Sequence, residues 1–216
     1  MMASNHVRGG VALWLLVAAA APLPPAAEIA GVPIAAAASF IPDLDHPITK
    51  ISNSGGILTQ WLSRRVRRWF GGHRYGTHSL ILGAPLCAVL SAVLVACGWW
   101  AAEIRAGHSL GSPWSAVGLI AAASYVGAAS HALLDSVTCN CAWCDHRPGS
   151  RWPPVTLEHC SRDGRPAPGC ALLYPWVRRR VGLPMLAVNS WREKKIVAPL
   201  LYGLGIVAAT LTVFGW

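Results

Sequence analysis

From Leu80 to Trp100 the chain runs for 21 residues without a charged side chain. That length matches the roughly 20 residues a helix needs to cross the hydrocarbon core of a bilayer. No water is available there to accept backbone hydrogen bonds, so such a segment satisfies its peptide groups internally, as a helix. Trp114–Val137 is a second long apolar segment, rich in Gly and Ala, a composition that favours close helix packing. Ile196–Trp216 reads as a final spanning helix, with Arg192, Lys194 and Lys195 before it as an interfacial anchor. Two shorter apolar runs come first. Val11–Ala21 ends in Pro22-Leu23-Pro24-Pro25, and Ala26–Ile41 stops at Pro42. Each is shorter than a perpendicular span, and together they predict a helical hairpin, either shallow or packed among other helices. The expected fold class is all-α: a multipass membrane helical bundle of about five apolar helices, one domain over residues 1–216. Gly76 or Thr77 is expected to cap a helix starting at His78, and Pro85 to kink it.

Composition agrees with a membrane chain. Hydrophobic residues are 54% and mean hydropathy is +0.43. The net charge of +9 could point to nucleic acid. The arginines, however, fall in short blocks beside apolar stretches, which reads as a positive-inside signal or a lipid-headgroup contact. In Lys50–Gly72, Arg64, Arg65, Arg67 and Arg68 interleave with Trp61, Leu62, Val66, Trp69 and Phe70. That pattern predicts a short amphipathic helix at a headgroup surface, the alternative being an ordinary solvated basic helix. Membrane lipids are therefore the expected partners and nucleic acid is not. Arg8, the run Val11–Ala21 and the small residues Ala26-Ala27 also fit a secretory signal.

Charged residues make up only 12% of the chain, yet carboxylates and imidazoles gather at three places. These are Asp43-Leu44-Asp45-His46, then His73-Arg74-Tyr75-Gly76-Thr77-His78-Ser79, then His131 and Asp135. His6 precedes the first apolar segment and Glu193 opens the last. If the five segments alternate in direction, all of these residues land at one end of the bundle. The basic blocks Arg64–Arg68 and Arg178–Arg180 lie at that end too, which places it on the cytoplasmic side. Nitrogen with hard oxygen donors suits zinc, with manganese or iron as alternatives, rather than calcium. His131 and Asp135 are four apart and share a helix face, an expensive pair in a membrane segment unless bound or paired. For each cluster a salt bridge or helix-locking hydrogen bond is the competing explanation, and Asp135 could orient a ligand instead of being one. Thr77 and Ser79 read as caps rather than nucleophiles.

The cysteines divide in two. Cys87 and Cys97 lie in an apolar segment and read as small core residues. Cys139, Cys141, Cys144, Cys160 and Cys170 crowd one polar stretch and cannot all pair among themselves. Cys139, Cys141, Cys144 and Cys160, near His146 and His159, have the residue types of a structural zinc site; disulfides or reduced thiols are the alternatives. Residues 139–190 are expected to form an irregular loop subdomain with a short helix near Trp176–Val181. No internal repeat, P-loop or dinucleotide fingerprint is present.

Taken together, several pieces resemble the YdjM family of bacterial inner-membrane proteins. They are His6, Pro42-Asp43-Leu44-Asp45-His46, the His73–Ser79 stretch and Ser130-His131-Ala132-Leu133-Leu134-Asp135-Ser136-Val137-Thr138, with a fainter echo in Asn189-Ser190-Trp191-Arg192-Glu193. The resemblance covers most of the chain, and His-Arg-x-x-Thr-His-Ser is its most specific part. It implies a multipass helical protein with a metal site and hydrolase activity, and a more distant kinship with the zinc-dependent phospholipase C and nuclease fold. It also argues against a cleaved signal, since cleavage would discard His6. The chain departs from the family by inserting its cysteine stretch before Trp152-Pro153, which bears on the substrate-facing loop.

The resulting expectation is an inner-membrane hydrolase with its metal site on the cytoplasmic side. Ligands come from His6, Asp43, Asp45, His46, His73, His78, His131 and Asp135. Bound metal lowers the pKa of water for attack on an ester or phosphoester, lipid-linked substrates included, and Arg74 stabilises developing charge. Asp45 or Glu193 is the expected general base. A non-catalytic metal-binding scaffold or partner-binding protein is the main rival. A metal or proton transporter would instead place its ligands at the bilayer midplane, not at segment ends.

Overall fold

The computed structural model describes residues 3–21, 23–46, 49–139, 170–177, 186–187 and 193–214, and the statements below concern those residues. Helix α1 (Ala3–Ala20) turns back into α2 (Pro25–Ala38). Pro25 opens α2, where its missing N–H costs nothing because the first turn has no intrahelical partner for it. Trp14 closes this hairpin: its ring is buried and its Nε1 donates to the Glu28 carbonyl at 2.8 Å. From α2 the chain enters a 3-10 turn, Ile41–Asp45, and then two helices outside the apolar pattern, α3 (Lys50–Asn53) and α4 (Gly56–Trp69). A second 3-10 turn, Gly76–His78, leads into α5 (Gly83–Ala106) and α6 (Trp114–Ser136). A π-helical turn, Glu193–Val197, opens α7 (Ala198–Phe214).

Four stretches are long and apolar enough to cross a membrane: Pro25–Asp45, Gly83–Ala106, Trp114–Ser136 and Glu193–Leu211. The all-α membrane bundle read from the sequence is therefore the observed architecture. The N-terminal hairpin forms as expected and packs among other helices. Only its second arm, continued through the 3-10 turn, is both long and apolar enough to span.

Helix α6 is the central element and packs against α1, α2 and α5, while α1 also packs on α7. Half of its apolar window is buried, against 11% for α5 and for the last span. α5 and α7 instead turn Val89, Leu90, Val93, Leu94, Leu200, Ile206 and Val207 outward, as lipid-facing helices do. The core is built from small residues, among them Ala35, Ala38, Ala84, Ala123, Ala128, Ala129 and Ala132. Gly127 shows why. A Cβ there would lie 2.3 Å from the Ala35 carbonyl oxygen, so α2 and α6 approach backbone to backbone.

Three details differ from expectation. The helix expected from His78 begins at Gly83; ahead of it the Ser79 hydroxyl accepts from the amides of Ile81 and Leu82, as a cap does, and shares its proton between the carbonyls of Leu172 and Tyr174. Pro85 falls in the first turn of α5, where no intrahelical bond is lost. Cys97 is exposed on the outward side of α5, whereas Cys87 is buried. The sequence also gave no hint of the parallel pairing of β1 (Thr138–Cys139) with β2 (Leu186–Ala187). Of the expected helix near Trp176–Val181, Trp176 belongs to a turn and Val177 has no regular structure, and the remainder lies outside the described residues.

Candidate metal centre

The close approach of Gly127 to Ala35 sets the geometry one helical turn further along. Ser39 follows Ala35 by four residues and His131 follows Gly127 by four. His131 Nδ1 therefore donates to the Ser39 carbonyl, at 2.6 Å. This contact fixes the tautomer and leaves the Nε2 lone pair aimed into the bundle. The 3-10 turn Ile41–Asp45 brings Asp43 over that nitrogen, with Oδ1 3.5 Å away. The turn Gly76–His78 adds His78, whose Nε2 lies 3.1 Å from His131 Nε2, 3.8 Å from Asp43 Oδ1 and 3.5 Å from Asp135 Oδ2. His131 Nε2 and Asp135 Oδ2 are 3.7 Å apart.

These separations are compatible with a coordination shell. A tetrahedral ion with arms of about 2.1 Å holds its ligand atoms roughly 3.4 Å apart. His6 completes the wall: its ring stacks on His131 at 3.6 Å and its Nε2 lies 3.3 Å from Asp135 Oδ1. His6 Nδ1 is buried with no hydrogen-bond partner. Three groups of side chains each bring potential donor atoms within 4.8 Å of one another: His6, Asp43 and His131; Asp43, His73 and His78; His78, His131 and Asp135. Asp43 belongs to two of them. It is also the open edge of the cluster, with its side chain 20% exposed against 0–3% for His6, His78, His131 and Asp135 to the nearest few per cent.

Other sequence candidates surround this centre. Asp45 is buried, accepting from Thr77 Oγ1 at Oδ2 and facing His73 Nδ1 with Oδ1 at 2.7 Å. Thr77 thus serves Asp45 rather than capping a helix. His46 meets the His73 ring edge-on at 4.5 Å. Neither Asp45 nor His46 belongs to the three donor groups. Arg74 is buried and clasps Asp135 twice, with Nη2 3.2 Å from Oδ2 and Nη1 donating to the backbone carbonyl at 3.2 Å. Its backbone is left-handed, φ 67°, a conformation held by Ala171 N–H donating to the Arg74 carbonyl at 3.0 Å. Glu193 is buried, belongs to none of the three donor groups and accepts from Asn5 Nδ2 at 2.9 Å, while Arg8 donates to Asn5 Oδ1 at 2.6 Å. Cys141, Cys144 and Cys160 lie outside the described residues, as do His146, His159 and Arg178–Arg180; Cys139 is described only as backbone of β1.

Electrostatics distinguish the three histidines near the 3-10 turns. Burial works to lower His78, but the carboxylates of Asp135, Asp43 and Asp45 outweigh it and raise its pKa from 6.5 to about 9. Burial dominates at His73 and lowers it to about 4, against the opposing pull of Asp45. His46 is lowered as well, first by burial and further by the Arg67 charge, with Asp43 and Asp45 opposing.

Ser39 and Asn5 escaped the sequence reading. Ser39 acts through its carbonyl, which no residue type reveals. Asn5 carried a usable signal: it is a buried amide beside His6 at the head of an apolar helix.

Compared with known proteins, the chain matches the family described as YdjM inner membrane protein over residues 1–215. No curated protein and no solved structure matches it.

Proposed function

We propose that this chain, which belongs to the YdjM family of inner membrane proteins, is a membrane-bound metal-dependent hydrolase acting on an ester or phosphoester. The observation that carries the reading is the meeting of His78 Nε2, His131 Nε2, Asp43 Oδ1 and Asp135 Oδ2 at separations of 3.1–3.8 Å, from three separate elements. A nitrogen and oxygen donor set of this kind fits zinc, with manganese or iron as alternatives. Asp43, His78, His131 and Asp135 would hold the ion, with His6 against them. A divalent ion bound there supplies Lewis acidity and lowers the pKa of water.

The remaining steps fall to the chain's own groups. His73, neutral at pH 7 and held at Nδ1 by Asp45, would be a further nitrogen donor beside Asp43 and His78. Asp45 orients its ring. Arg74 holds the Asp135 carboxylate in place, a positioning role, because its guanidinium is clasped to Asp135 on two sides. Glu193 supports His6 indirectly, through Asn5 on the same helical turn. The four arginines of α4 favour a cytoplasmic position for this end of the bundle.

The test is to purify the protein, measure its metal content and follow hydrolysis of p-nitrophenyl phosphate, bis(p-nitrophenyl) phosphate and p-nitrophenyl acetate. Turnover abolished by chelation and restored by zinc, manganese or iron supports the reading. One observation favours the scaffold alternative: only Asp43 among the five central side chains is appreciably open to solvent. Bound metal with no turnover on any ester would establish that alternative.

A further inference from the structure

Helix α4 is packed on one side and uncovered on the other. Thr59, Ser63, Val66 and Phe70 recur at helical spacing along its inner stripe, and Ser63 is fully buried. The outer side carries Ile57 (84% exposed), Leu58 (72%), Trp61 (47%) and Trp69 (66%) among exposed Arg64, Arg65, Arg67 and Arg68. No acidic residue lies on the helix. The Arg65 guanidinium sits 5.3 Å from the centre of the Trp61 ring, a cation over an aromatic face. Water is a poor environment for so much aromatic and aliphatic surface, and hydrocarbon is a poor one for four guanidinium groups. The headgroup layer suits both.

Connectivity points to the same layer. α4 follows the span that ends at Asp45 and precedes the span that begins at Gly83, so both of its ends are tied to one end of the bundle. It packs directly on the 3-10 turn that carries Asp43 and Asp45. Arg67 lies near enough to His46 for its charge to be felt there, and its carbonyl accepts from Gly72 N–H, in the residue before His73. The cluster's open side, at Asp43, is on this turn.

We propose that α4 is a docking element for anionic phospholipid, with its tryptophans and aliphatic side chains in the headgroup layer, its arginines on lipid phosphates, and Arg67 holding a headgroup beside the Asp43 edge of the cluster. For what becomes of that headgroup the inference rests on the hydrolase reading. The binding itself needs no metal.

The experiment uses the full chain in two nanodisc preparations, phosphatidylcholine alone and phosphatidylcholine with about one quarter phosphatidylglycerol. Hydrogen exchange is read over residues 57–70, with metal content measured on the same samples. Exchange there slows roughly tenfold when phosphatidylglycerol is present, and the difference shrinks in high salt. Combining Arg64→Gln, Arg65→Gln, Arg67→Gln and Arg68→Gln abolishes the lipid dependence while α5 and α6 keep their protection. If that variant loses protection in α5 and α6, the pair Arg64→Gln with Arg65→Gln replaces it and reduces the dependence. Equal exchange of the wild-type helix in both lipids overturns the proposal, including in favour of a protein partner for this face. Lipid dependence in a chain that binds no metal would leave α4 docking intact and remove the hydrolase.

Discussion

The two ends of the bundle carry the same kinds of side chain and use them differently. At the far end, Glu103, Ser109 and His108 belong to one turn. Glu103 Oε1 accepts from Ser109 Oγ at 3.0 Å and from Leu110 N–H at 2.9 Å, and His108 Nδ1 donates to the Ser109 carbonyl at 3.1 Å. His108 is exposed, and these polar groups are served locally and by water. At the near end, His6, His78, His131 and Asp135 come from three elements, are sealed from solvent and face one another. A helix terminus needs only local satisfaction of its polar groups. Gathering three carboxylates and several imidazoles in one dry space costs free energy unless a counter-charge joins them. Residue type alone therefore says little; convergence from separate elements marks the site.

The contrast is broken most severely at Asp135. Asp135→Ala removes a donor and leaves the Arg74 charge buried without its carboxylate, a loss of about 3–5 kcal/mol. Glu103→Ala at the far end changes stability by no more than about 0.5 kcal/mol. Denaturation in detergent compares the two. A sharper contrast lies within α6. Gly127→Ala puts a methyl 2.3 Å from the Ala35 carbonyl oxygen and forces the helices apart, costing roughly 1–3 kcal/mol and loosening the His131–Ser39 contact. Gly118→Ala meets nothing within 4 Å and is neutral or slightly stabilising. Thermal unfolding of both variants, with metal affinity, decides whether close packing sets the ligand geometry.

A smaller effect is expected where the outer contacts alone are touched. Asp45→Asn weakens its hold on His73 and lowers activity or metal affinity by about 10–100-fold with the fold retained. Activity equal to wild type would remove Asp45 from the site. The mildest test is pH. With no metal, the raised pKa of His78 contributes stability that is complete below 6.5 and lost as pH rises through about 9. Metal binding has the opposite sign, because the ion must displace the His78 proton; affinity rises about tenfold per pH unit between 7 and 9. His73, at about 4, does not titrate in this window. Isothermal calorimetry in buffers of different ionisation enthalpy reads the proton released.

Much of this arrangement was legible in the sequence because the bilayer imposes strong rules. The uncharged run at Leu80–Trp100 requires a helix of membrane length, and alternation of direction predicts which polar residues share an end. The donor groups contain His6, Asp43, His73, His78, His131 and Asp135, all readable as candidates from their place beside apolar segments. The division of roles was not readable. Whether Arg74 faces a substrate or clasps Asp135 depends on one left-handed backbone angle and a hydrogen bond to Ala171, set by a segment nearly a hundred residues away. Glu193 opens a helix at the expected end, and nothing in the sequence says that its carboxylate accepts from Asn5. The bonds from Ser79 to Leu172 and Tyr174 were hidden for the same reason, being contacts that no local pattern encodes.

The most direct measurement is metal content of the purified full-length protein by mass spectrometry, across wild type, His131→Ala, Asp43→Ala and His108→Ala. The account predicts at least one divalent ion per chain in wild type and in His108→Ala, and little or none in the other two. The same metal content in all four, or none in the wild type, would contradict it.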